Sequence, residues 1–167
     1  MNYHDIKKCD MLNGDGIRVS LWVSGCEHNC EQCQNPQTWD VNGGILFDEE
    51  AERELLLALS RDWISGITFT GGDPLHKDNL EDVLNLVNKI RLLLPDKTIW
   101  LYSGCTFEQC IEHAIRKEIV SKCDILVDGR YIDSQRDTTL FWRGSSNQRV
   151  IDISKSLKEN KVILYAE

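Results

Sequence analysis

The chain has 167 residues, of which 41% are hydrophobic and 28% charged, with a net charge of −8. A chain of this size buries roughly 70% of its surface, so it builds a core without staples and is neither disordered nor fibrous. The acidic excess excludes a broad basic face, and no nucleic-acid partner is expected.

The first ten residues, Met1 to Asp10, are polar and mixed in charge, with no signal-peptide apolar stretch. No apolar run in the chain approaches the ~20 residues of a membrane span. The expected location is therefore cytoplasmic, with no membrane partner. Ile17, Val19, Leu21 and Val23 alternate at period two and predict a strand. Asp48, an acidic turn, and Leu55, Leu56 and Leu59 predict a capped helix. Ile67–Thr70 predicts a strand ending in Gly71-Gly72. Leu80, Val83, Leu84, Val87 and Ile90 fall at helical spacing, and Pro95 stops that helix.

Thr98–Tyr102 predicts the next strand. Thr106 and Gln109 form a capping-box pattern that opens a helix to about Glu118. Ile125–Val127, Leu140–Trp142, Val150–Ile153 and Lys161–Tyr165 are further strand candidates. The alternation predicts an α/β fold of parallel βαβ units. The chain is too short for eight such units, so the expected architecture is a partial (β/α) barrel or a curved, mostly parallel sheet. One domain over residues 1–167 is expected, with 151–167 as a C-terminal extension of unassigned role. Polar, glycine-containing loops fall at the strand ends, where α/β sheets gather their sites.

Seven cysteines are many for a reducing compartment. There they read as metal ligands, catalysts or buried apolar groups before disulfides. Cys26, Cys30 and Cys33 follow the first predicted strand at C-x3-C-x2-C spacing. Three thiolates on one loop can hold three irons of a [4Fe-4S] cluster. Gln34, Asn35 and Pro36 follow, so no local fourth cysteine is present, and one iron stays open to a ligand. The alternatives are a closed zinc site completed by His28 or Cys9, an electron-transfer cluster with a distant fourth cysteine, or three buried thiols. Cys9, Cys105, Cys110 and Cys123 lack paired spacing and read as buried or free thiols.

The C-x3-C-x2-C loop resembles the signature of the radical S-adenosylmethionine (SAM) superfamily. Gly14-Asp15-Gly16-Ile17-Arg18, Trp22-Val23-Ser24-Gly25-Cys26 and Cys33-Gln34-Asn35-Pro36 resemble its glycyl-radical-enzyme activases. Gly71-Gly72-Asp73-Pro74 resembles the superfamily's Gly-Gly-Glu motif. Leu126-Val127-Asp128-Gly129 and Trp142-Arg143-Gly144-Ser145-Ser146-Asn147-Gln148 look like the activases of anaerobic ribonucleoside-triphosphate reductases. The likeness runs from Asn2 to about Arg149.

That resemblance implies a sheet of the radical SAM type and a reaction. The open iron binds the amino and carboxylate groups of SAM. A reduced flavodoxin or similar donor supplies one electron. The sulfur–C5′ bond breaks to methionine and a 5′-deoxyadenosyl radical, which takes a hydrogen from one glycine of the reductase large subunit. A complex of two activases with a reductase dimer is implied. So are metal ligands Cys26, Cys30 and Cys33, and cofactor contacts from Gln32, Cys33, Gln34, Gly71, Gly72, Ser103 and Asp128. Beside Asp128, Arg130 resembles part of a D-x-K element. Arg18 reads equally as a carboxylate clamp or a surface ion pair.

Two positions depart from the pattern. Gln32 stands where many members place an aromatic residue against adenine. Asp73 stands for Glu, one methylene shorter. The run from Trp142 to Gln148 reads as a loop at the substrate entrance or as a turn beside a core tryptophan. The other readings are a radical SAM enzyme acting on a small molecule, as in deazapurine biosynthesis, and a non-enzymatic iron–sulfur or zinc module.

Overall fold

The computed structural model describes residues 1–166, and Glu167, the last residue of the 151–167 extension, lies outside them. The strands are β1 (Asn2–Asp10), β2 (Arg18–Val23), β3 (Ile45–Leu46), β4 (Gly66–Gly71), β5 (Thr98–Tyr102), β6 (Ile125–Asp128), β7 (Arg149–Asp152) and β8 (Leu164–Ala166). The helices are α1 (Glu49–Leu59), α2 (Leu80–Leu93), α3 (Phe107–Glu112), α4 (Ala114–Ser121) and α5 (Ile153–Glu159). All eight strands join one sheet in the order β3-β1-β2-β4-β5-β6-β7-β8.

The central strands β2, β4, β5 and β6 are parallel, as their β-α-β connections require. Every residue of β6 is buried, as are all of β4 except Gly71 and all of β2 except Trp22. That double-sided burial is why the interior strands are near-continuous apolar runs. The flanks differ from the expectation of a mostly parallel sheet. β1 pairs antiparallel with β2 and β3, β6 with β7, and β7 with β8. The sheet is therefore mixed, with four antiparallel pairings and three parallel.

The causes are local. β1 carries no period-two pattern because the consecutive residues Lys7, Lys8 and Cys9 are exposed, leaving both faces open there, and bulges interrupt its register. Only Tyr3 and Asp10 of its nine residues are buried. β7 runs straight into α5, where Asp152 caps the helix by accepting from the Lys155 N–H at 3.0 Å. The turn is too tight for a crossover, so β8 returns antiparallel on the edge. Leu140–Trp142 forms no strand; Trp142 holds φ 59°, which breaks extended pairing.

The expected helix from Thr106 is two helices. The capping box is present, with both the Thr106 and Gln109 side chains bonded. At His113 the backbone is extended (φ −105°, ψ 121°), and its Nδ1 accepts from the Arg116 N–H to start α4. No helix is long and apolar enough to cross a membrane among the described residues.

Arg18 is neither a surface ion pair nor a site residue. It is 1% exposed, at the amino end of β2. Its guanidinium donates to Thr68 Oγ1 (2.8 Å), Thr98 Oγ1 (2.9 Å) and the carbonyls of Asp15, Ile67 and Thr98 (3.0, 2.7 and 3.0 Å). It thus ties the starts of β2, β4 and β5 together. The carboxyl ends of the same strands lie at the other end of the sheet.

Candidate metal and cofactor site

The loops after β2, β4, β5 and β6 converge at those carboxyl ends, the usual crevice of an open α/β sheet. They enclose a cavity of about 470 Å³. Cys26, Cys30 and Cys33 line it from the loop after β2, and all three thiols are free and part-exposed. Gly25 N–H donates to the Thr38 carbonyl (2.7 Å) and Cys26 N–H to the Trp39 carbonyl (3.1 Å), which folds the loop over the strand end. Burial pushes the Cys26 thiol up to about 11 and raises Cys30 as well. Such thiols ionise when a metal takes them, so binding releases protons.

Gly71 and Gly72 face the cysteines from the end of β4. Gly71 holds φ +97°, and a Cβ there would lie 2.8 Å from the backbone of Trp22 and Val23. At Gly72 a Cβ would meet the Gly25 carbonyl oxygen at 2.6 Å. Glycine is therefore required for this turn to lie against the cysteine loop. The Gly72 and Asp73 N–H groups donate to the carbonyls of Val23 (2.8 Å) and Gly25 (2.7 Å). What the turn has left to offer a ligand is carbonyl oxygen.

The structure also brings Gln34 and Ser103 to the cavity wall. Ser103 is buried, its hydroxyl donating to Asp73 Oδ2 at 3.0 Å and accepting from the Cys105 N–H at 3.0 Å. Gln32 and Asp128 do not line the cavity. Gln32 is exposed with φ 55°. Asp128 is 1% exposed. One of its oxygens accepts from the Phe107 N–H at 2.7 Å and the other from Arg149 Nε at 3.0 Å. It anchors α3 and β7 and faces a neighbouring cavity of about 700 Å³. Arg149 also holds Glu108, whose carboxyl falls to about 2.

Trp142, Arg143 and Gln148 form part of the cavity wall, so the Trp142–Gln148 run lies at its mouth. Trp142 also packs edge-on against the core residue Trp100, with ring centroids 5.1 Å apart. The run thus borders the cavity and also packs beside a core tryptophan.

His28, Asp73 and Asn79 are placed by contacts that no local spacing signals. His28 Nε2 lies 2.6 Å from Asp73 Oδ2. Arg130 Nε donates to Nδ1 of the same ring at 3.2 Å. The guanidinium, which can only donate, opposes a second ring proton and selects the tautomer with hydrogen on Nε2. Asn79 is fully buried and donates to the carbonyls of Ser24 (2.7 Å) and Asp73 (3.3 Å). It clamps the β2 loop to the β4 turn from beneath.

The residues present fit an iron–sulfur cluster. Three soft sulfur donors share one wall, and no other cysteine lines this cavity. Cys9 is exposed, while Cys105, Cys110 and Cys123 are buried outside it. Both nitrogens of His28 are engaged by protein side chains. Trp39 Nε1 and Arg143 Nε, on residues lining the cavity, are buried with no hydrogen-bond partner among the described residues.

Comparison with known proteins agrees. Residues 12–151 match the 4Fe-4S single cluster domain family. The anaerobic ribonucleoside-triphosphate reductase-activating protein of Enterobacteria phage T4 is 43% identical over 150 residues, covering 90% of this chain and 93% of the phage protein. The protein of that name from Escherichia coli K12 is 41% identical over 152 residues, covering 90% of this chain and 97% of its own length. The one from Vibrio cholerae is 40% identical over 150 residues, with 89% and 96% covered. With such identity spread over nine-tenths of its length, the chain belongs to the family of anaerobic ribonucleoside-triphosphate reductase-activating proteins.

Proposed function

We propose that the chain is a radical SAM activase that generates a glycyl radical on an anaerobic ribonucleoside-triphosphate reductase, and that residues 1–167 act as one domain. The observation that carries this reading is the cavity wall: Cys26, Cys30 and Cys33 stand opposite Gly71 and Gly72, with no fourth cysteine among its lining residues. Cys26, Cys30 and Cys33 would hold a [4Fe-4S] cluster, which would supply the one-electron reduction that cleaves the sulfur–C5′ bond of SAM to methionine and a 5′-deoxyadenosyl radical able to take a glycine hydrogen from the partner.

The chain's own residues do the holding and the shielding. Three thiolates would ligate three irons and leave the fourth for the SAM amino and carboxylate groups. Carbonyls of the Gly71-Gly72 turn would accept from the SAM ammonium. Gln34 and Ser103 border the remainder of the ligand. Trp142 and its neighbours cover the mouth and limit water, which protects a reactive radical from side reactions. We read Asp128, Arg130 and Gln32 as supports around this site, with the adenine packed by the aromatic residues of the mouth. The parallel half of the sheet is read as the partial barrel of the radical SAM type. A reduced flavodoxin or similar cytoplasmic donor is the proposed electron source, and two activases on a reductase dimer the proposed complex.

Mixing the reconstituted protein anaerobically with the reductase large subunit, SAM and a reductant should produce a glycyl-radical doublet in the EPR spectrum. A fully loaded cluster that cleaves SAM yet leaves the reductase without a doublet would refute the partner. SAM cleavage stimulated instead by a small molecule would favour the alternative substrate class.

A further inference from the structure

We propose that His28 and Asp73 form a positioning pair that sets the three-cysteine loop against the Gly71-Gly72 turn, an inference that rests on the function proposed above. Asp73 is 3% exposed, and its carboxylate is filled from inside the protein. Oδ2 takes His28 Nε2 at 2.6 Å, the Ser103 hydroxyl at 3.0 Å and the Gly104 N–H at 3.2 Å. Oδ1 takes the Leu75 N–H at 2.8 Å. With about two acceptor sites per carboxylate oxygen, Oδ2 is saturated, and the one site left on Oδ1 belongs to a side chain that is 3% exposed. The shorter side chain at this position thus has an inward role.

His28 meets the loop after each of the four parallel strands. It belongs to the loop after β2 and binds Asp73 after β4. It lies against Gly104 after β5 and takes the Arg130 Nε after β6 at 3.2 Å. The fit at Gly104 is close: a Cβ there would lie 2.3 Å from His28 Cδ2 and 2.5 Å from Nε2. Only a residue without a Cβ leaves the imidazole its place. His28, Asp73 and Cys105 have ligand atoms within 4.8 Å of one another, the composition of a metal site. Because Asp73 Oδ2 already holds three donors, hydrogen bonds close this group. A bond between an imidazole and a buried carboxylate is short and strong. It joins the loop that holds the iron to the turn that holds the SAM ammonium, and a displacement of about 1 Å at such a junction costs on the order of 10²-fold in rate.

Two variants attack the pair from different sides: His28→Ala removes the donor, and Gly104→Ala displaces the ring while leaving every hydrogen-bonding group in the chain. Both should retain wild-type iron and sulfide content, because the three thiols remain. In both, the EPR change that SAM causes in the reduced cluster should weaken, and kcat/KM for SAM cleavage should fall on the order of 10²-fold. His28→Gln, which keeps an N–H donor, should recover part of the loss. Without iron or SAM, amide exchange across residues 24–35 should accelerate in His28→Ala and Gly104→Ala while the strand core stays protected. Unchanged exchange in that loop overturns the pairing, whatever the cluster does. So does wild-type SAM response in both variants, or loss of iron on His28→Ala. A wild-type protein indifferent to SAM, with exchange altered as expected in the variants, sinks the proposed function and leaves the loop contact standing.

Discussion

Replacing Cys30 with alanine should abolish cluster retention and SAM cleavage, whereas Cys110→Ala should leave both near wild type. The two thiols differ in setting. Cys30 is part-exposed on the wall of the carboxyl-end cavity beside Cys26 and Cys33. A cluster held by three thiolates has no spare ligand, so two cannot retain it. Cys110 is fully buried on α3 within the apolar core, and burial drives its thiol far above the ordinary range. It stays protonated and inert. Removing its sulfur costs about 1 kcal/mol of packing and no iron. Iron and acid-labile sulfide counts after reconstitution, with 5′-deoxyadenosine formation, measure both. Iron lost on Cys110→Ala, or kept on Cys30→Ala, would contradict the ligand assignment.

Arg18→Ala should be the most damaging substitution outside the site. Burial lowers the Arg18 pKa to about 10, so the charge is held at a cost. Its five hydrogen bonds and a stacking contact with Trp100, 5.3 Å from the ring centroid, offset that cost. Alanine leaves buried acceptors without donors and a hole between three strand starts. The expected loss is about 3 kcal/mol or more, against a total stability of about 5–15 kcal/mol. The urea midpoint of the variant reads it. Arg18→Lys should recover only part, because a single ammonium cannot reproduce the fork. A midpoint within error of wild type would show that the network contributes nothing. A stable protein that fails only in SAM cleavage would return Arg18 to the site.

The features legible in the sequence were those written locally. Asp48 caps α1 by accepting from the Ala51 N–H, and the Thr106–Gln109 box closes as its spacing demands. The parallel strands announce themselves by apolar runs, and their glycine-bearing ends carry the cavity. Three cysteines within eight residues point to one wall of it.

What was hidden depends on partners distant in the chain. β1 is a polar segment made into a strand by β2. The break between α3 and α4 falls at His113, with neither proline nor glycine to mark it. α5 was missed because Val150–Ile153 reads as one apolar strand, while Asp152 ends it with a cap. The resemblance implies a cofactor contact for Asp128, and no local pattern signals that Arg149, 21 residues on, bonds its carboxylate. His28 and Asp73 are 45 residues apart, and only the fold brings them into contact.

The open iron is the centre of this account, and one measurement addresses it directly. The reconstituted protein, reduced under strict anaerobiosis, is examined by EPR with and without SAM. The expected result is a reduced four-iron signal whose shape and g-values shift when SAM is added, because an iron without a protein ligand accepts the new one. A four-iron signal that SAM leaves unchanged would contradict it and require a fourth protein ligand at the cluster.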